Sequence, residues 1–68
     1  MKEYVRRMIS EKTELSARIE KAKRAVKHPP YGMTVEQTRM LSEKVKAMES
    51  YLYWLNERLR YEAEVNGN

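Results

Sequence analysis

The segment His28-Pro29-Pro30-Tyr31-Gly32 interrupts an otherwise continuous helical pattern. Proline lacks a backbone N–H and disfavours the helical conformation in the residue before it, so two consecutive prolines end a helix. Immediately afterwards, Thr34-Val35-Glu36-Gln37 fits the S/T-x-x-E/Q capping box that begins a helix. The sequence therefore predicts a turn over residues 28–33 between two helices.

Apolar side chains on both sides of this turn recur with alternating steps of three and four residues. In the first half, where Lys12 occupies one gap, they are Val5, Met8, Leu15, Ile19, Ala22 and Val26. In the second half they are Leu41, Val45, Met48, Leu52, Leu55 and Leu59. This spacing is typical of a helix packed against another helix. We predict an all-α fold, an antiparallel two-helix hairpin over residues 1–68, with helices at about 3–27 and 34–64.

A second stripe of large side chains follows the second helix. It lies roughly 120° from the leucine seam at 100° per residue and consists of Tyr51, Trp54, Arg58 and Tyr61. One partner helix covers only one stripe, and a chain of 68 residues is short for a stable core of its own. We therefore expect the second stripe to face another subunit or a ligand, and the hairpin to assemble into a helical homo-oligomer.

Composition argues against several classes of function. The chain has no cysteine and no aspartate, and its one histidine, His28, lies beside the two prolines. Such a chain offers no thiolate ligand or nucleophile, and we expect no metal, no cofactor and no enzymatic activity. We expect Glu57, Glu62 and Glu64 to lie on a polar surface. The longest apolar run, Tyr51–Leu55, is far shorter than the roughly 20 residues that span a membrane.

The charge is distributed unevenly along the chain. The net charge is +4, but residues 1–33 carry nine Lys/Arg against four Glu, whereas residues 34–68 carry five against six. Arg7, Arg18 and Lys21 are expected to share a face of the first helix away from the seam, with Tyr4 at its beginning. Cations next to aromatic rings are what a nucleotide ligand requires.

Residues of both helices carry a resemblance to a known family. Arg7-x3-Glu11-x3-Leu15-x2-Arg18 in the first helix and Met48-x2-Tyr51-x3-Leu55-x2-Arg58 in the second resemble the short phage hairpin proteins called anti-CBASS cyclic-nucleotide sponges. Their hairpin domain is shared with a Thoeris anti-defence sponge. The resemblance extends over about residues 4–60. The sequence departs from the family pattern at Ala22, Ala25 and Lys44.

This resemblance implies a protein of the host cytoplasm that traps cyclic di- or trinucleotide immune signals without cleaving them. Members are typically homo-hexamers, with ligand pockets between subunits. Carried over by position, the ligand-binding residues are Tyr4, Lys21 and Arg58. Arg24, Tyr51 and Trp54 are further candidates that do not align with a ligand contact of the family.

Two other functions fit the residues. A helical hairpin can be an oligomerisation or protein-interaction module with no nucleotide ligand, and a basic first half can bind nucleic acid. Nucleic-acid binding through many phosphates is steeply salt-dependent, whereas a pocket for one small anionic ligand weakens far less with salt. A small molecule bound in native mass spectra would distinguish a sponge from a plain interaction module.

Overall fold

The computed structural model describes residues 2–65 and has two helices, α1 (Glu3–Lys27) and α2 (Val35–Val65). Within this range there is no strand, so the prediction of an all-α, two-helix fold is confirmed. The molecule measures 50 × 15 × 14 Å, because the two helices lie side by side in a single layer. Neither helix contains an apolar stretch long enough to cross a membrane.

The turn is held by short-range hydrogen bonds. The backbone N–H of His28 donates to the carbonyl of Arg24 at 2.8 Å, which ends α1. Gly32 has a φ of 90°, a conformation that glycine adopts without steric cost. The predicted capping box then forms: the Gln37 N–H donates to Thr34 Oγ1 at 3.0 Å, and the Thr34 N–H donates to Gln37 Oε1 at 2.9 Å. The chain reverses direction here, and α2 runs back along α1.

The core is one thin seam between the helices. Its buried apolar residues are Leu15, Ile19, Val45 and Leu55, all of them at predicted seam positions. Met8, Met48 and Leu52 are partly buried and pack against the cluster of Leu15, Ile19 and Leu55. Lys12, the polar residue of the seam pattern, is exposed. A single layer of helices buries one stripe of each, so the rest of the apolar surface stays exposed.

Glu62 corrects one expectation from the sequence. It was expected on a polar surface but is only 6% exposed. The helical period explains why, since Glu62 follows Leu55 and Leu59 at steps of four and three and so continues the seam. A buried carboxylate needs hydrogen-bond donors, and the Tyr4 hydroxyl donates to Glu62 from the facing end of α1.

Candidate functional site

An open groove of about 810 Å³ runs along one edge of the hairpin between the two helices. We call it the groove. Leu15, Met48 and Tyr51 contribute its apolar surface. Its charged residues are three glutamates and four cations: Glu3, Glu11, Glu14, Arg6, Arg7, Arg18 and Lys44. On α1 three arginines are balanced by three glutamates, and Arg7 pairs with Glu3 at 3.9 Å, whereas α2 contributes Lys44 alone. The groove therefore has cations from both helices.

Two stacked aromatic rings adjoin the groove. The centroids of Tyr51 and Trp54 are 5.9 Å apart and their planes differ by 13°. The two residues are 45% and 50% exposed, so ring surface remains available to a flat ligand. The Tyr51 hydroxyl donates to Glu11 Oε2 at 2.7 Å. This hydrogen bond is the main reason that the pKa of Tyr51 is raised.

A second polar cluster joins the helices at the open end of the hairpin. The Tyr4 hydroxyl donates to Glu62 Oε1 at 2.5 Å, and Arg58 Nε donates to Glu62 Oε2 at 3.0 Å. The buried carboxylate thus holds both side chains. Within residues 2–65 Glu62 is the one ion-pair partner of Arg58, whose side chain is 43% exposed. Glu62 therefore holds Arg58 at Nε, and a large part of the side chain remains accessible.

The opposite edge of the hairpin is built differently. Lys23 Nζ pairs with Glu49 Oε2 at 2.8 Å, which links the two helices. Glu49 raises the pKa of Lys23, chiefly by accepting this hydrogen bond. The cleft beside the pair measures about 180 Å³ and is bounded by Lys23, Val26, Lys27, Ser42 and Val45. This edge is narrower than the groove and its central charges are neutralised within the chain.

One family model, described as Sequestin, matches residues 2–61, nearly the whole chain. The chain belongs to the Sequestin family. This membership is consistent with a sponge-type anti-defence family, as the resemblance predicted. The name Sequestin indicates binding and sequestration of a ligand rather than catalysis. The comparisons with curated proteins and with solved structures gave no significant match.

In this Sequestin hairpin the six predicted binding residues fall into three places. Tyr4 and Arg58 meet at Glu62, and Tyr51 stacks on Trp54. The third place is the outer surface of α1, where Lys21 and Arg24 are exposed.

Within one chain, Lys21 is too far from Tyr4 and Arg58 to contact the same small ligand. It lies seventeen residues from Tyr4, or about 25 Å at 1.5 Å per residue. Of the three cations expected on one face of α1, Arg7 and Arg18 line the groove and Lys21 does not. At 100° per residue, Lys21 is turned about 60° from Arg18, away from α2.

Lys44 and Glu62 are among the residues of this Sequestin surface that were not predicted as site residues. Lys44 lies one heptad before Tyr51, and Glu62 lies one heptad after Leu55. Extending the seam and the aromatic stripe by one heptad would have found both, because residues seven apart share a helix face.

Proposed function

We propose that this chain is a phage sponge that binds and sequesters cyclic di- or trinucleotide immune signals in the host cytoplasm, and so counters CBASS defence without cleaving the signal. Membership of the Sequestin family supports sequestration as the mode of action. The nucleotide class is supported by one arrangement on the surface, the exposed Tyr51–Trp54 stack beside a groove that has cations from both helices.

The chemistry of a cyclic nucleotide matches this surface. Such a ligand presents negatively charged phosphates and flat bases. Aromatic rings stack on bases regardless of their identity, at about 1–3 kcal/mol each. Charge-assisted hydrogen bonds to phosphate add about 1.5–3 kcal/mol each. Arg58, held by Glu62 at Nε and 43% exposed, is already restrained for such a contact, which lowers the entropic cost of binding.

The complete site is proposed to form between subunits of a homo-hexamer. Sequestration at nanomolar Kd requires about −12 kcal/mol, more than one arginine and one aromatic stack supply. Lys21 and Arg24 face outward from α1, about 25 Å and about 30 Å along the helix from Tyr4, so only a neighbouring subunit can bring them to the same ligand. The exposed Trp54 and Tyr61, 50% and 57% accessible, give that neighbour an apolar surface to cover.

Calorimetric titration of cyclic di- and trinucleotides tests the proposal, with native mass spectrometry to detect the bound ligand. Arg58→Ala and Lys21→Ala should each weaken binding by at least about tenfold, the loss of one charge-assisted contact. Lys46→Ala is the matched control, because Lys46 is exposed and already paired with Glu43 at 3.2 Å. Tyr4→Ala should cost about 1–3 kcal/mol of binding.

The contrary results point to different errors. If no cyclic nucleotide binds, the alternative function, a protein-interaction hairpin, is favoured. The exposed side chains of Trp54 and Tyr61 are also consistent with that alternative. If nucleotide binding is unchanged in both Arg58→Ala and Lys21→Ala, the sponge function stands, but the assignment of Arg58 and Lys21 to its binding site is wrong. Binding of duplex DNA or RNA that collapses with added salt would favour a nucleic-acid partner.

A further inference from the structure

The hydrogen bond between Tyr51 and Glu11 fixes the alignment of the helices along the groove. Seven residues make two helical turns, about 10.5 Å, and return a side chain to nearly the same face. One heptad closer to the turn, the position equivalent to Glu11 is occupied by Arg18, and the position equivalent to Tyr51 is occupied by Lys44. Arg18 and Lys44 both line the groove. Because the helices are antiparallel, Arg18 and Lys44 occupy facing positions, as Glu11 and Tyr51 do.

One heptad in the other direction, the facing positions hold Tyr4 and Arg58. Both of them are bound to the carboxylate of Glu62. The groove edge therefore has three successive steps, each formed by one residue of α1 and one of α2. In two steps a glutamate accepts hydrogen bonds. The third step places two cations, Arg18 and Lys44, at facing positions, and no glutamate among residues 2–65 accepts a hydrogen bond from either of them.

Within the described residues, neither Arg18 nor Lys44 forms an ion pair with a carboxylate. Glu14 lines the groove one turn before Arg18 but forms no ion pair with it, and Glu43, next to Lys44, pairs with Lys46 instead. Both Arg18 and Lys44 are exposed, so an external anion can reach them. Leu15, which is buried, and Met48, which is partly buried, line the same groove. Like charges above such an apolar surface repel one another more strongly than in bulk water.

We propose that Arg18 and Lys44 form an anion-binding pair that holds one phosphate group of the sequestered ligand. This assignment rests on the proposed function, and it names the phosphate contact within a single chain. The guanidinium of Arg18 offers two parallel N–H donors to phosphate oxygens, and the Lys44 ammonium adds a compact charge from the facing helix. The bound anion relieves the repulsion between the two cations, so binding stabilises the hairpin.

The repulsion is tested without any nucleotide, by thermal unfolding in dilute chloride buffer followed by circular dichroism. Arg18→Gln and Lys44→Gln should each raise Tm by about 1–3 °C, since like-charge pairs cost a few tenths of a kcal/mol. The gain should vanish near 1 M salt, where charges are screened beyond about 3 Å. Lys46→Gln, an equal change of charge on the same helix that breaks the pair with Glu43, should not raise Tm. An unchanged or lower Tm for both groove variants would overturn the pair.

Two titrations then identify the anion. Inorganic phosphate should raise the Tm of the unmodified protein more than chloride at equal ionic strength, and this gain should be lost in Arg18→Gln and Lys44→Gln. A cyclic dinucleotide should bind each of these variants at least about tenfold more weakly, and Lys46→Gln as tightly as the unmodified protein.

The two titrations separate this inference from the proposed function. A cyclic dinucleotide that binds the unmodified protein and both groove variants equally would refute the pair and leave the sponge intact. Stabilisation by phosphate through both residues, without nucleotide binding, would support the pair and refute the sponge. Equal stabilisation of all variants by phosphate, with no loss of nucleotide affinity, would refute the pair.

Discussion

The two edges of this hairpin use the same kinds of residue in opposite ways. On one edge, Lys23 meets Glu49 across the helices and the cleft beside them is small. On the other edge, a groove more than four times larger lies between facing cations and is flanked by an exposed aromatic stack. Opposite charges across a helix pair stabilise the hairpin itself. Facing cations do not, which is why we propose that an external anion binds at the groove edge.

The largest effect should come from adding a charge to the aromatic stripe of the groove edge. Trp54→Glu would bury a carboxylate in the proposed contact between subunits, which is costly. Sedimentation at micromolar chain concentration should then show dissociation of the assembly that we propose for the unmodified protein. The matched control is Tyr53→Glu, because Tyr53 is 68% exposed and points about 100° away from Trp54 on the same helix.

Two results of the sedimentation experiment would contradict the proposed difference between the two edges. If Tyr53→Glu dissociates the assembly and Trp54→Glu does not, subunits meet on the other edge. If the unmodified protein sediments as a well-folded monomer, there is no assembly to break, and an exposed aromatic stripe of this size would need another partner.

A smaller effect should separate the two interhelical glutamates. Glu62 is buried and accepts from Tyr4 and Arg58, so Glu62→Gln should lower the free energy of unfolding by about 1.5–3 kcal/mol, the usual contribution of hydrogen bonds to a charged group. Glu49→Gln should change it much less, because exposed ion pairs contribute little. Urea unfolding at one fixed chain concentration measures both. Equal losses would mean that burial does not distinguish the two edges.

The fold followed from the sequence because each of its determinants is local. The two prolines end α1, and the capping box of Thr34 and Gln37 begins α2 with the two hydrogen bonds that its spacing predicts. The three-and-four spacing then selects the buried stripe, and Leu15 and Leu55 are indeed in the core. A hairpin of two helices leaves few other arrangements open.

The site was less predictable because it depends on how the helices are aligned. The position of Arg18 relative to α2 decides whether its side chain faces solvent or the groove. Lys44 can be recognised as a site residue only once it is known to lie opposite Arg18 in the groove. Glu62 was assigned to the surface from its charge, although its position in the heptad places it on the seam. Lys21 and Arg24 lie outside both edges, so the residues of one chain do not define their role.

The smallest predicted effect concerns the alkaline side of the pH range. The Tyr51 hydroxyl donates to Glu11, and this bond, with partial desolvation and the negative charge of Glu11, raises the pKa of Tyr51. A pKa that is higher in the folded state means that the protonated phenol favours folding. The stabilisation is therefore complete below about pH 10, the ordinary pKa of tyrosine, and is lost as the pH rises through the folded-state pKa.

Glu49 raises the pKa of Lys23, as Glu11 raises that of Tyr51. The interhelical contacts on both edges should therefore lose their contribution to stability at alkaline pH. Tyr51→Phe should remove only the contribution of the groove edge. Phenolate absorbance, compared between the unmodified protein and Tyr51→Phe, isolates the titration of this one side chain. That phenol should ionise above the ordinary range, and Glu11→Gln should lower its pKa because the acceptor and its charge are gone. If Glu11→Gln leaves the difference spectrum unchanged, the interhelical bond that aligns Arg18 with Lys44 does not form in solution.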